Sequence, residues 1–273
     1  MLDLAIVFVV GLSVGSFLNV CIARLPENKS IVKPSSFCPH CKKAINWYDN
    51  IPVLSYLFLM GKCRFCKKRI SIVYPAVELI TAFVLLFLYN QFGLSLDLFK
   101  YGILFILLIV VSFIDIKYHA IPAYLCILGI SLAVFLSLIS TIKAIKQGGV
   151  DLGLLPVVIT VKNLIFGLGF AYLFKLFGDF FMGIYLGFQK KDSIEGETES
   201  LGLGDVDFMG MIGAFLGVKA VILVFFLAPF VALAYTVFAL IFKKSHLIPY
   251  LPYLSIATFI VFVWGNNIWN FIL

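Results

Sequence analysis

Four cysteines stand as two pairs, Cys38-Pro39-His40-Cys41 and Cys63-Arg64-Phe65-Cys66, with 21 residues between them. Each pair can turn back as a tight knuckle that aims two thiolates at one ion, and two knuckles make a four-thiolate zinc site. Four thiolates leave no open coordination position, so a zinc ion here is structural. Two other readings use the same residues. Disulfides are one, disfavoured in a reducing cytoplasm. A redox pair is the other, although no thioredoxin-like βαβ pattern accompanies it. Cys21 and Cys126 fall in apolar runs and read as core residues.

The second chemical group is acidic. Glu78, Asp115, Asp205 and Asp207 lie in or at the ends of apolar stretches, whereas Asp3, Asp97, Asp151 and Asp179 read as solvated ends or loops. An ionisable group at membrane depth points to function. Two carboxylates at one site cannot both ionise cheaply, so they share a proton. One then activates a water while the other, protonated, polarises a carbonyl, which is aspartic peptide-bond hydrolysis. Asp115 and Asp205 are the candidates for this pair. Gly202 and Gly204 before Asp205 allow close approach of a substrate backbone. The plainer reading is that each aspartate caps a helix or pairs with a lysine such as Lys117. If Asp205 opens a helix, Asp207 lies two residues on, about 200° around it, and cannot share its site unless that stretch stays unwound. Glu78 stands about one turn inside an apolar run. It calls for a basic partner or a substrate amine, unless it snorkels to the interface.

The elements that position these groups follow from composition. Of 273 residues, 62% are hydrophobic and 13% charged, against roughly 45–50% and about 25% in soluble chains. The apolar runs approximate residues 2–23, 74–90, 98–114, 122–142, 155–177, 205–217, 220–242 and 249–273. The fold class expected is an all-α polytopic membrane protein with about eight transmembrane helices. Ten of the 21 Lys and Arg residues lie between Arg24 and Arg69, beside only Glu27 and Asp49. A basic loop next to membrane spans marks the cytoplasmic side and argues against nucleic acid as a partner. The N-terminus is therefore expected outside, with connections 24–73, 115–121, 178–204 and 243–248 in the cytoplasm. Asp115 and Asp205 then reach the same cytoplasmic face. The expected organisation is a first transmembrane helix (1–23), a cytoplasmic zinc-binding loop (24–73) and a seven-helix domain bearing both aspartates (74–273). No internal repeat stands out, and residues 190–200 read as a polar, mobile loop.

Ordered motifs then connect the chain to a family. They are residues 11–20 (GLSVGSFLNV), closing at Arg24-Leu25-Pro26, the two cysteine pairs, residues 45–52 (INWYDNIP), Gly61-Lys62-Cys63-Arg64, residues 74–79 (YPAVEL), Asp115, and Gly202-x-Gly204-Asp205. With these the chain resembles the type 4 prepilin peptidases, bifunctional leader peptidase and N-methyltransferase enzymes of bacterial inner membranes. The resemblance implies cleavage of a basic leader from type IV pilin or pseudopilin precursors, after a glycine, on the cytoplasmic side. It also implies N-methylation of the new terminus, commonly phenylalanine, with S-adenosyl-L-methionine as donor. In the family, Asp115 and Asp205 are the catalytic pair, and the cysteine-bearing loop is associated with methyl transfer. No motif identifies residues that bind the methyl donor.

Two positions depart from the family pattern. Pro122 is followed by Ala123 where Asp is frequent, and Asp207 stands where Lys is frequent. Both bear on local charge and substrate preference; neither removes a member of the pair. The alternatives at this point are a leader peptidase without methyl transfer, or a non-enzymatic membrane scaffold with a zinc docking module.

Overall fold

Apolar runs of this length bury their own backbone hydrogen bonds, so helices are the form the chain must take in lipid. The computed structural model describes residues 2–119, 122–147, 151–189, 200–241 and 249–272. Its helices are α1 (Leu2–Arg24), a short α2 (Leu54–Phe58), α3 (Val73–Phe92), α4 (Leu96–Tyr118), α5 (Ala123–Gln147), α6 (Pro156–Gln189), α7 (Leu203–Leu216), α8 (Val218–Ile241) and α9 (Leu251–Ile272). All but α2 and α7 are long and apolar enough to cross a membrane. Among the described residues there is no strand, only two isolated bridges within the cysteine loop. The all-α membrane architecture expected from the sequence is therefore present.

Two compact units divide the chain, residues 1–119 and 120–273. In the first, α1 packs along α3 through Gly11 and Gly15. A Cβ on Gly11 would lie 2.6 Å from the Ala82 Cα, and one on Gly15 2.6 Å from the Glu78 Cα. Such spacing of small residues lets two helix backbones touch where lipid supplies no hydrophobic drive for association. Asn19 is buried on α1 and donates to the Tyr74 carbonyl at 3.0 Å. The Tyr118 hydroxyl at the end of α4 donates to the Ala23 carbonyl at 3.4 Å. These bonds gather the end of α1, the start of α3 and the end of α4 at the side where the cysteine loop is attached. The α3–α4 turn uses Gly93 at φ +60°, and Ser95 caps α4 by accepting from the Leu98 N–H at 3.3 Å.

The second unit is built around α7. Its 14 residues span about 21 Å, short of a bilayer's hydrocarbon thickness of about 30 Å. Ten of them are buried, so protein and not lipid surrounds the helix. Gly167 on α6 faces the Met209 carbonyl of α7, and Gly213 on α7 faces the Asn163 carbonyl of α6. Gly217 at φ +90° turns the chain directly into α8. The sequence boundaries differ most at α6, which continues to Gln189 instead of stopping near Phe177. The polar stretch expected at 190–200 lies, for residues 190–199, outside the described residues.

The α1–α3 contact generates a stability prediction. Gly11→Val should destabilise the protein by about 1–3 kcal/mol, because the added side chain forces the helices apart. Gly169→Ala, whose new Cβ meets nothing within 4 Å, should be near neutral. Unfolding titrations of the two purified variants compare them directly.

Candidate functional site

The cysteine loop folds as two matching knuckles. The Cys38 N–H bonds the Lys43 carbonyl at 2.9 Å, and the Lys42 N–H returns to the Cys38 carbonyl at 2.9 Å. In the second knuckle the Cys63 N–H bonds the Lys68 carbonyl at 2.9 Å, and the Lys67 N–H returns to the Cys63 carbonyl at 3.0 Å. Lys42 and Lys67 hold the same left-handed position, at φ +59° and +60°. The repeat is thus visible in backbone bonding, and the sequence carries it as Cys-x-x-Cys-Lys-Lys-x-Ile at 38–45 and 63–70. It is a repeat of eight residues, too short for a search for repeated domains to register.

The knuckles bring four sulfurs together. The Sγ atoms of Cys38, Cys41, Cys63 and Cys66 all lie within 4.8 Å of one another, and Cys38 and Cys66 are 3.9 Å apart. A tetrahedral zinc with Zn–S bonds of about 2.3 Å needs sulfurs about 3.8 Å apart. The donor set and its spacing fit that ion. Backbone N–H groups of Cys66 and then Phe65 draw the Cys63 thiol down, while Cys66 beside it is raised.

Between the knuckles the chain reaches back to the helices. Arg64 grips Asp49 with Nε at 2.8 Å from Oδ2 and Nη2 at 2.6 Å from Oδ1. The hydrogen bonds from Arg64 hold the Asp49 carboxyl below its usual range. Gly61 takes φ +66° and passes under the Tyr56 hydroxyl, which would sit 2.9 Å from any Cβ there. Val53 adopts φ +60°, a conformation that a β-branched residue occupies only when held. Glu78 holds it: the Val53 N–H donates to Oε2 at 2.8 Å, and the Ser16 hydroxyl of α1 also bonds this carboxylate. The sequence calls for a basic residue or an amine beside Glu78; the observed partners are a backbone amide and a hydroxyl. Beside them lies a cavity of about 290 Å³ lined by Ser13, Ser16, Phe17, Val20, Asn50 and Pro52. It lies just below the roughly 300–1,000 Å³ of ordinary ligand pockets, and no residue set is assigned to a methyl donor.

The two aspartates occupy opposite kinds of helix end. Asp115 is buried in the last turn of α4, where its carbonyl accepts from the N–H of His119 at 2.9 Å. Asp205 is buried in the first turn of α7, and its Oδ2 accepts from the Gly202 N–H at 3.2 Å. A Cβ on Gly202 would approach that oxygen to 3.4 Å, which makes the glycine part of the carboxylate's seat. Helix α7 already begins at Leu203, so Gly204 lies within its first turn. Asp207 is helical and half-buried, about 200° round from Asp205. Fully buried Cys126 on α5 lies near enough to feel the charge of both. Asp115 belongs to the first unit and Asp205 to the second.

One anchor was not foreseen. Asp179 reads from the sequence as a solvated loop residue, yet α6 extends through it. Its Oδ2 pairs with Lys175 at 3.0 Å, and its Oδ1 accepts from the Ser200 N–H and hydroxyl at 2.7 and 2.8 Å. Ser200 is thereby fixed two residues before Gly202. The hint was the four-residue spacing of Lys175 and Asp179, which matters only once the helix is known to continue.

Comparison with known proteins agrees with this layout. Residues 9–92 match the bacterial peptidase A24 N-terminal domain, and residues 102–237 match the type IV leader peptidase family. A Bacillus subtilis protein named prepilin leader peptidase/N-methyltransferase is 29% identical over 98% of this chain and 97% of its own length. One of the same name from Aeromonas hydrophila is 30% identical over 97% of this chain and 91% of its own. A Myxococcus xanthus protein of that name is 34% identical over 79% of this chain, and the match spans 56% of that relative. No solved structure matches.

Two outcomes follow for the loop. Purified protein should carry about one zinc per chain, and Cys63→Ser should lower that content and expose residues 42–62 to protease. Glu78→Leu should leave the Val53 N–H without its acceptor, at a cost of about 1–3 kcal/mol, and speed cleavage near Pro52 while zinc is retained. Metal analysis and limited proteolysis check both.

Proposed function

The chain belongs to the type IV leader peptidase family, and from that membership we propose that it removes leader peptides from type IV pilin-like precursors and then N-methylates the new terminus. The proposed site faces the cytoplasm of a multi-pass inner-membrane protein whose N-terminus lies outside. The observation that carries the peptidase reading is that Asp115 and Asp205 are each buried at the end of an apolar helix, the second preceded by Gly202-x-Gly204. The cation-rich loop supports the orientation.

Helix ends divide the labour within the pair. A helix N-terminus favours negative charge and a C-terminus disfavours it. Asp205, in the first turn of α7 with a backbone N–H on its carboxylate, is the group to carry charge and act as base on water. Asp115, in the last turn of α4, is the group to hold the proton and polarise the scissile carbonyl. Water adds to that carbonyl as one of its protons passes to Asp205, and Asp205 then gives that proton to the leaving amine as the C–N bond breaks. Gly202 and Gly204 support the site by leaving room for an extended substrate backbone.

Methyl transfer is assigned to the loop at 24–73, and peptide hydrolysis to the helices of 74–273. When bound, S-adenosylmethionine supplies an electrophilic methyl group. Zinc on Cys38, Cys41, Cys63 and Cys66 holds the loop's shape and takes no part in the transfer.

The test is cleavage of a prepilin in reconstituted membranes, read as a gel shift. Asp115→Asn and Asp205→Asn should each cut the rate by about 10²–10⁴-fold, since the amide keeps the shape and loses the titratable group. Asp207→Asn should keep most activity. Melting curves separate lost chemistry from lost folding. Full activity in either of the first two variants would sink the pair, and loss only in Asp207→Asn would move the base to that residue.

A further inference from the structure

We propose that residues 44–61, the middle of the cysteine loop, are a re-entrant segment seated in the lipid leaflet on the loop's side of the bilayer, with the two knuckles at its headgroup rim. Depth is the first observation. Asn50 and Pro52 line one cavity with Ser13, Ser16, Phe17 and Val20 of α1. At about 1.5 Å per residue, Val20 lies about 6 Å and Ser13 about 16 Å back from Arg24, where α1 ends. The Val53 N–H meets Glu78, five residues and about 7 Å into α3. Two independent contacts therefore hold the segment alongside the helices, over depths from about 6 Å to about the 15 Å of one leaflet's hydrocarbon.

Composition is the second observation. The loop carries ten cations, but residues 44–61 contain none. Their single acid, Asp49, is almost enclosed and is neutralised by the bidentate grip of Arg64. Cations crowd both edges, Lys42 and Lys43 before, and Lys62, Lys67, Lys68 and Arg69 after. Exposure is the third. Trp47, Phe58 and Met60 are 80%, 83% and 82% exposed, and Leu54 and Leu57 are exposed beside them. Water would make that surface costly, about 25 cal/mol for each Å². Lipid removes the cost, and the flanking lysines and arginines then meet anionic headgroups. Trp47 and Tyr48 supply the aromatic residues that interfaces favour.

The experiment uses the full chain, one copy per nanodisc, with Trp264→Phe and Trp269→Phe so that Trp47 is the sole reporter. Retained zinc and melting confirm the fold. Trp47 emission should be blue-shifted, and phospholipids brominated at a shallow acyl position should more than halve it, while aqueous acrylamide should quench it weakly. Strong acrylamide quenching with no bromine effect would overturn the proposal. So would bromine quenching or shielding that appears only with two copies per disc or on adding prepilin, since a protein partner would then cover the face. A second readout needs no substitution. A photoactivatable phospholipid should label peptides from residues 44–61 of the unmodified chain, and labelling confined to the spanning helices would count against the segment.

Discussion

Lipid offers a backbone amide nothing to bond with, so any chain that leaves helical form at membrane depth must be satisfied by the protein. The Val53 N–H is such a group, and the Glu78 carboxylate is its acceptor. Much of the first unit serves that bond. Gly15 lets α1 lie against the backbone of Glu78 itself, which brings the Ser16 hydroxyl onto the same carboxylate. One turn along α1, Asn19 adds a second tie by donating to the Tyr74 carbonyl where α3 begins. Glu78, which the sequence marks as a candidate supporting residue, accepts a bond from a strained residue.

The division into units does not follow the division into family regions. The leader peptidase match begins at residue 102, but α4 packs with α1 and α3 and belongs to the first unit. Asp115 therefore travels with the cysteine loop, and Asp205 with α5 to α9. Asp115 ends a helix and Asp205 begins one, so the two carboxylates stand at helix ends of opposite polarity. The two activities proposed for the chain consequently share a structural unit, even though their motifs are separate along the sequence.

Much of this was legible beforehand because its physical signals are local. Apolar runs located eight helices, and cysteine spacing located the four sulfurs, since both depend on residue type and distance along the chain. Boundaries fared less well where one acid, Asp179, interrupts an apolar run that continues to Phe188. Helix α6 runs on to Gln189 with Asp179 inside it, paired to Lys175 one turn back, so this acid does not end the helix. Helix α7 is too short to span and survives because its neighbours bury it, a tertiary effect. The role of Val53 had no sequence signal at all. A valine at positive φ is disfavoured intrinsically, and only its bond to Glu78 explains it.

The matched knuckles bear on how the metal contributes. Each closes by its own backbone bonds over six residues, Cys38–Lys43 and Cys63–Lys68, so neither requires the ion for its local turn. An ion on the four sulfurs would tie one knuckle to the other and close the intervening 21 residues into a ring. Loop-closure entropy rises only slowly with length, so a single crosslink removes most of the wandering of that ring. Zinc bound there would act as a polymer constraint. It would raise the effective concentration of Asn50, Pro52 and Val53 at the face of α1 and α3, from outside the surface where they dock.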